Sequence, residues 1–105
     1  MTFCRIAYET LTLMTLHVTH DEKDLRFYAP LGDDEAELTY TYPDEKVLDF
    51  DYTYLPENYR NQGLAYQLVQ AGLDFVKENN LTFIPSCPVV EAFAKRHPEY
   101  LPFMG

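Results

Sequence analysis

The hydrophobic period of this chain changes once, at Gly63, and that change limits the folds open to it. Before it, "AELTYTY" (Ala36–Tyr42) puts Ala36, Leu38, Tyr40 and Tyr42 on one face and Glu37, Thr39 and Thr41 on the other. "VLDFDYTYL" (Val47–Leu55) repeats the pattern, with Leu48, Phe50, Tyr52 and Tyr54 opposite Asp49, Asp51 and Thr53. A period of two with one polar face marks half-buried strands. From Gly63 on, Leu64, Ala65, Leu68, Val69, Gly72, Leu73 and Val76 form one helical stripe that ends at Lys77-Glu78-Asn79-Asn80.

The flanking segments extend this plan. "LMTLHVTH" (Leu13–His20) alternates weakly, and "DLRFYAPL" (Asp24–Leu31) follows the charged turn "HDEK". "GDDE" and "YPDEK" are hairpin-type turns, so the strands are expected to form an antiparallel meander. "LTFI" (Leu81–Ile84) is a short apolar run, read as a strand after the helix. A strand, a helix and a strand in that order imply a parallel pair closed by a right-handed crossover. "CPVVEAFAKRH" is a short helix, with Pro88 suited to its first position and Pro98 ending it. The expected architecture is α+β: a meander, a crossover helix, a parallel strand and a last helix.

At 105 residues the chain is expected to be one domain, large enough to bury roughly 60–70% of its unfolded surface. A net charge of −9 argues against binding a nucleic-acid backbone, which relies on Lys and Arg. The cysteines, Cys4 and Cys87, form no CxxC and no metal spacing, so no metal is expected, and a reduced, cytoplasmic setting is the simpler reading. Arg5 and Glu9 break any apolar run at the start, which is not read as a signal peptide. No stretch approaches the ~20 apolar residues of a membrane span. The oligomeric state is left open, and a monomer is compatible with the sequence.

"YRNQGLAYQL" (Tyr59–Leu68) lies where the period changes, and it carries an arginine and a glycine but no carboxylate. Helix starts favour Asp or Glu, because their first N–H groups are unpaired and the dipole is positive there. Asn61 as an N-cap beside a solvated Arg60 accounts for one residue. It leaves Gly63 unexplained, which costs ~1 kcal/mol relative to Ala inside a helix, and it leaves the missing acids unexplained. A bound anion accounts for all of it: backbone N–H groups cradle phosphate, glycine admits close approach, and a cation completes the site.

"RNQGLA" fits the Arg/Gln-x-x-Gly-x-Gly/Ala signature of the GCN5-related N-acetyltransferases. With "AELTY", "DFDYTYLPENYRNQGLAYQLVQAGLDFV", "IPSCP" and "RHPEY", the chain resembles the short, single-domain branch of that superfamily over about Leu13 to Tyr100. Met1–Thr12 stand outside the resemblance as an extension. It implies that acetyl-CoA is the acyl donor and that Val47–Leu55 and Leu81–Pro85 splay apart around its pantetheine arm. Thr53, Tyr54 and Leu55 would then offer backbone contacts to pantetheine. Arg60, Asn61, Gln62, Gly63, Leu64 and Ala65 would cradle the pyrophosphate. Two residues depart from the branch: Asn61 stands where glycine is usual, and Tyr52 where histidine is frequent, which removes an obvious neutral-pH base.

Transfer to an amine needs a deprotonated amine, a polarised thioester carbonyl and a proton for the departing thiolate. Cys87 has two readings. It precedes Pro88 at a helix start, where the dipole favours negative charge on sulfur, and the resemblance sets it near the acetyl-CoA sulfur as the catalytic candidate. Equally, it can be a buried structural cysteine. Phe93 stands where many acetyltransferases carry the tyrosine acid, and Tyr100 is a poor substitute. Asp49, Asp51 and Glu37 can attract a basic acceptor or form a solvated sheet face. His97 suits either the adenosine end of the cofactor or the helix C-terminus. His17 and His20 show no partner in the sequence.

The expected function is acetyl-CoA-dependent N-acetylation of an amine, with a basic protein, a peptide or a bulky amine as acceptor. The alternatives are a CoA-binding module with little or no catalysis, favoured by Tyr52 and Phe93, and an interaction protein that keeps only the fold, disfavoured by Arg60 and Gly63.

Overall fold

The computed structural model describes residues 15–60 and 62–105. Strands β1 (Thr19–Asp21), β2 (Arg26–Leu31), β3 (Asp34–Asp44) and β4 (Val47–Tyr54) form an antiparallel meander. A 3₁₀ turn (Glu57–Tyr59), helix α1 (Leu64–Glu78) and strand β5 (Thr82–Ile84) follow. Helix α2 (Pro88–Arg96) and a 3₁₀ segment (Pro98–Phe103) end the chain. The sheet runs β1-β2-β3-β4-β5, and β5 lies parallel to β4. This is the expected α+β architecture.

Apolar periodicity places the core. Ala36, Leu38, Tyr40, Leu48 and Phe50 face α1, whose Leu64, Leu68, Val69, Gly72, Leu73 and Val76 are buried against them. Burying such side chains stabilises a fold by roughly 1.5–3 kcal/mol each. Gly72 lets the helix lie close: a Cβ there would stand 3.0 Å from Phe50 Cε1 and 3.1 Å from Leu38 Cδ2. Ala65, expected on the buried stripe, is only half-buried and turns toward a groove beside β4.

The first hairpin differs from expectation. Residues 15–18 are not strand, and β1 takes in His20 and Asp21, which were read as part of a turn. The turn lies later, at Glu22–Leu25, where Leu25 adopts φ 55° and delays β2 to Arg26. Leu13, Met14 and the Met1–Thr12 extension, with Cys4, lie outside the described residues.

Two bulges break the expected alternation. Tyr40 pairs with Phe50 but Thr39 pairs with Tyr52, so Asp51 is an extra residue on β4. A bulge reverses which side chains face which side. Thr53, placed on the polar face by its spacing, therefore shares the inner face with its partner Leu38, and Tyr52 turns outward, 53% exposed. Farther along, Thr41 pairs with Asp49 and Asp44 with Val47, leaving Tyr42 and Pro43 opposite Leu48 alone. Tyr42 is exposed there and rests edge-on against Tyr40.

Replacing Gly72 with alanine gains about 1 kcal/mol of helix propensity, against an overpacking cost of about 1–3 kcal/mol where Phe50 and Leu38 are fully buried. The urea midpoint of Gly72→Ala is expected to fall with an unchanged m-value. A midpoint equal to or above wild type would show that both side chains give way freely.

Candidate functional site

The groove arises where β4 and β5 part. Their ladder ends at Asp49↔Ile84, and Cys87 N–H donates to the Phe50 carbonyl at 2.9 Å as the chain turns into α2. Beyond that bond, Tyr52, Thr53, Tyr54 and Leu55 line a groove with Arg60, Ala65 and Val89, about 300 Å³ in volume. It adjoins a second lobe of about 460 Å³, formed by Leu55, Gly63, Leu64, Ala65, Tyr66, Val89 and Arg96. A strand edge left without a partner strand offers backbone hydrogen-bonding groups to whatever enters.

At the far wall, α1 begins without a cap. Gly63 is its N-cap residue in the left-handed conformation (φ 76°), with no side-chain hydrogen bond to the first turn and no acid in that turn. Asn61, read as the candidate N-cap, lies outside the described residues, and the cap position falls two residues later. Gly63 also stands before the helix, so it carries no helix-interior penalty; its positive φ is what favours glycine. A Cβ there would meet nothing within 4 Å, since the position opens onto the groove. Arg60 ends the 3₁₀ turn in extended conformation, and its Nε–H donates to the Leu55 carbonyl at 2.9 Å. Gln62 Nε2 lies 3.4 Å from the Asn58 carbonyl and is not part of the groove wall.

The bulge at Asp51 aims Thr53 inward, where its Oγ1 lies 3.1 Å from Cys87 Sγ. Cys87 is the N-cap residue of α2 with Pro88 at its start, as expected, and it is buried, 5% exposed. Thr53 therefore stands between the thiol and the groove. Tyr54 donates to Asp34 Oδ2 at 2.9 Å, and that bond, more than burial, holds its phenol above the ordinary range.

The remaining candidates, Asp49 excepted, are engaged elsewhere. Tyr100 is buried and its hydroxyl donates to Asp74; burial first, then that bond, push its pKa well above the phenol range. Phe93 is buried edge-on to Tyr66, with His97 stacked on its other side at 4.2 Å as the C-cap residue of α2. Glu37 and Glu35 bind the Arg26 guanidinium at 2.8 and 2.5 Å, and Asp51 accepts from Thr39 at 2.6 Å. Asp49 Oδ1 is buried with no hydrogen-bond partner among the described residues. His20 sits on β1, the strand farthest from β4. It stacks on Phe27 and hydrogen-bonds the Tyr40 hydroxyl, and burial lowers its pKa. Tyr66, Val89 and Arg96 line the groove but escaped the sequence reading. Tyr66 lies within the quoted motif, off the apolar stripe, and Arg96 resembled an ordinary helix-end cation.

A larger cavity, about 560 Å³, lies on the other side of Tyr54, between Gly32–Asp34 and Pro56–Tyr59. Asp33, Asp34 and Glu57 line it, which suits a cation and disfavours a phosphate. The groove beside α1 has the opposite character, with Arg60 and Arg96 and, among the described residues, no carboxylate in its walls.

Comparison with known proteins follows the same lines. Residues 26–103 match the family model of the GCN5-related N-acetyl-transferases. The chain is 38% identical over 90 residues to Protein NATD1 of Danio rerio, covering 82% of each chain. It is 33% identical over 85 residues to Protein NATD1 of Homo sapiens, covering 79% of this chain and 75% of that one. A GCN5-like protein of Staphylococcus aureus, solved in solution by NMR, superposes with a TM-score of 0.68 at 23% identity. That match covers 89% of this chain and 91% of the other, and shows the shared fold.

The left-handed Gly63 yields its own expectation. Gly63→Ala should lower stability by roughly 1 kcal/mol through backbone strain alone, and Gly63→Asn by less, because Asn tolerates that conformation. Thermal or urea unfolding of the two variants checks the order. Equal stability of wild type and Gly63→Ala would mean that the turn adopts another conformation.

Proposed function

The chain belongs to the GCN5-related N-acetyltransferase family, and we propose that it binds acetyl-CoA in the groove beside α1 and transfers the acetyl group to an amine. The single observation that carries this reading is the character of the groove. Among the described residues, a free strand edge at Thr53–Leu55 leads to an uncapped helix start at Gly63–Ala65, with Arg60 beside it and no carboxylate in the walls.

Each part suits one part of the donor. The open edge of β4 offers backbone groups to the amides of a pantetheine arm, much as an added strand would be held. The N–H groups of the first turn of α1, the left-handed Gly63 and the Arg60 guanidinium suit a diphosphate. Asn61 and Gln62 belong to the same loop by position in the sequence. The bound donor supplies an activated thioester. The amine must arrive without its extra proton, its nitrogen bonds to the acetyl carbon as the carbon–sulfur bond breaks, and the proton released by nitrogen balances the one the departing thiolate gains. Thr53 lines the groove with its hydroxyl on Cys87, which sets a hydrogen-bonded hydroxyl and thiol beside the strand edge where the thioester would lie. We propose that Cys87, the catalytic candidate of the sequence, acts on the transfer as a positioning residue through Thr53 and not by direct exposure.

A cationic acceptor, as on a basic protein or a bulky amine, is supported by the carboxylates across Tyr54. A reducing, cytoplasmic setting is supported by the free thiol of Cys87. The second reading, a CoA-binding module with little catalysis, is favoured by two observations: Phe93 has no ionisable proton to donate, and the hydroxyl of Tyr100 is committed to Asp74.

Calorimetric titration with acetyl-CoA tests the binding. Arg60→Ala is expected to weaken it about tenfold, since a charge-assisted bond contributes roughly 1.5–3 kcal/mol, with at most a small stability loss from the Leu55 contact. Absence of binding by wild type would refute the reading. For transfer, thiol release with an amine panel should show Cys87→Ala and Thr53→Val losing turnover more than acetyl-CoA affinity, with Thr53→Ser retaining most of it. Full turnover in Cys87→Ala makes the cysteine structural. Binding without turnover by wild type establishes the second reading.

A further inference from the structure

We propose that Arg96, at the end of α2, is a second phosphate-binding cation of the groove, facing the Gly63–Ala65 turn from the opposite wall and held ready by the ring of Tyr66. The inference rests on reading the groove as a coenzyme A site and adds to it a group on a different element.

Charge distribution is the first support. The chain carries 17 Asp and Glu against 8 Lys and Arg, yet among the described residues no acid lines either lobe of the groove while two arginines do. Arg96 lines the lobe that contains Gly63, Leu64 and Ala65. A cation retained where all acids are excluded implies that the missing counter-charge comes from a ligand.

The plain alternative is that Arg96 serves the C-terminus of α2, where any cation is favoured. Its neighbour Lys95 already fills that role on the same turn, pairing with Glu91 at 3.8 Å. Arg26 likewise spends its charge on Glu35 and Glu37. Among the described residues Arg96 has no carboxylate partner, and its guanidinium lies over the Tyr66 ring, 5.9 Å from guanidinium carbon to centroid. Tyr66 is itself fixed edge-on against the buried Phe93, with centroids 5.3 Å apart. An arginine resting on an aromatic face keeps its planar N–H fork free for a phosphate and gives up less freedom on binding.

Ligand chemistry supplies the need. Coenzyme A bears a diphosphate and, separately, a phosphate on its ribose. The α1 start and Arg60 make one cradle, and a second cation across the lobe adds capacity for phosphate charge that one cradle leaves to solvent.

Titration by NMR of wild type, Arg96→Ala and Arg96→Lys with three probes tests this: coenzyme A, dephospho-coenzyme A and S-acetylpantetheine, which has no phosphate. Arg96 is exposed, so both variants should match wild type in thermal unfolding. Arg96→Ala is expected to bind coenzyme A about tenfold more weakly and S-acetylpantetheine as wild type does, with Arg96→Lys between. A loss confined to coenzyme A assigns Arg96 to the ribose phosphate, and one shared with dephospho-coenzyme A assigns it to the diphosphate; both support the proposal. An undiminished affinity for coenzyme A, or an equal loss for S-acetylpantetheine, overturns it while the groove reading stands. Failure of wild type to bind any of the three overturns both.

Discussion

One backbone hydrogen bond, from Cys87 N–H to the Phe50 carbonyl, organises the site. It is the last link across the β4–β5 seam. On one side of it the parallel ladder runs through Val47, Leu48 and Asp49; on the other, β4 continues alone while the second chain turns into α2. The same bond therefore ends the sheet, opens the strand edge and sets the N-cap residue of α2 beside that edge. The bulge at Asp51 acts one residue later and turns Thr53 toward the thiol. Without that bulge, the alternation of β4 would send the Thr53 hydroxyl to the other face of the sheet.

The architecture was legible because its parts follow hydrophobic period. The meander, the α1 stripe and the Pro88 helix start each depend on local pattern, and tertiary packing agrees with them. The departures have tertiary causes. A strict alternation through Val47–Leu55 puts Tyr52 inside and Thr53 outside, and only cross-strand register reveals the bulge that exchanges them. Leu25 at φ 55° belongs to a residue type that rarely takes that conformation, so the position of the first turn had no sequence signal.

The candidate site was legible in part. Thr53, Leu55, Arg60, Gly63, Leu64 and Ala65 line one groove, although they come from a strand, a turn and a helix start. The reason for Gly63 was misread, because its backbone angle favours glycine before any ligand is considered. Tyr66, Val89 and Arg96 were missed because they belong to the groove only through the packing of α2 on α1. Cys87 had two readings, beside the cofactor sulfur or buried and structural; the structure buries it with the Thr53 hydroxyl on its sulfur, a contact that the sequence did not indicate.

A backbone amide shift map on adding coenzyme A asks whether the groove is the binding site at all. The largest changes are expected at Thr53, Tyr54 and Leu55 along the open strand edge and at Leu64, Ala65 and Tyr66 in the first turn of α1. Changes concentrated instead around Gly32–Asp34 and Pro56–Tyr59, with the first turn of α1 unmoved, would place the ligand in the acidic cavity and contradict the assignment.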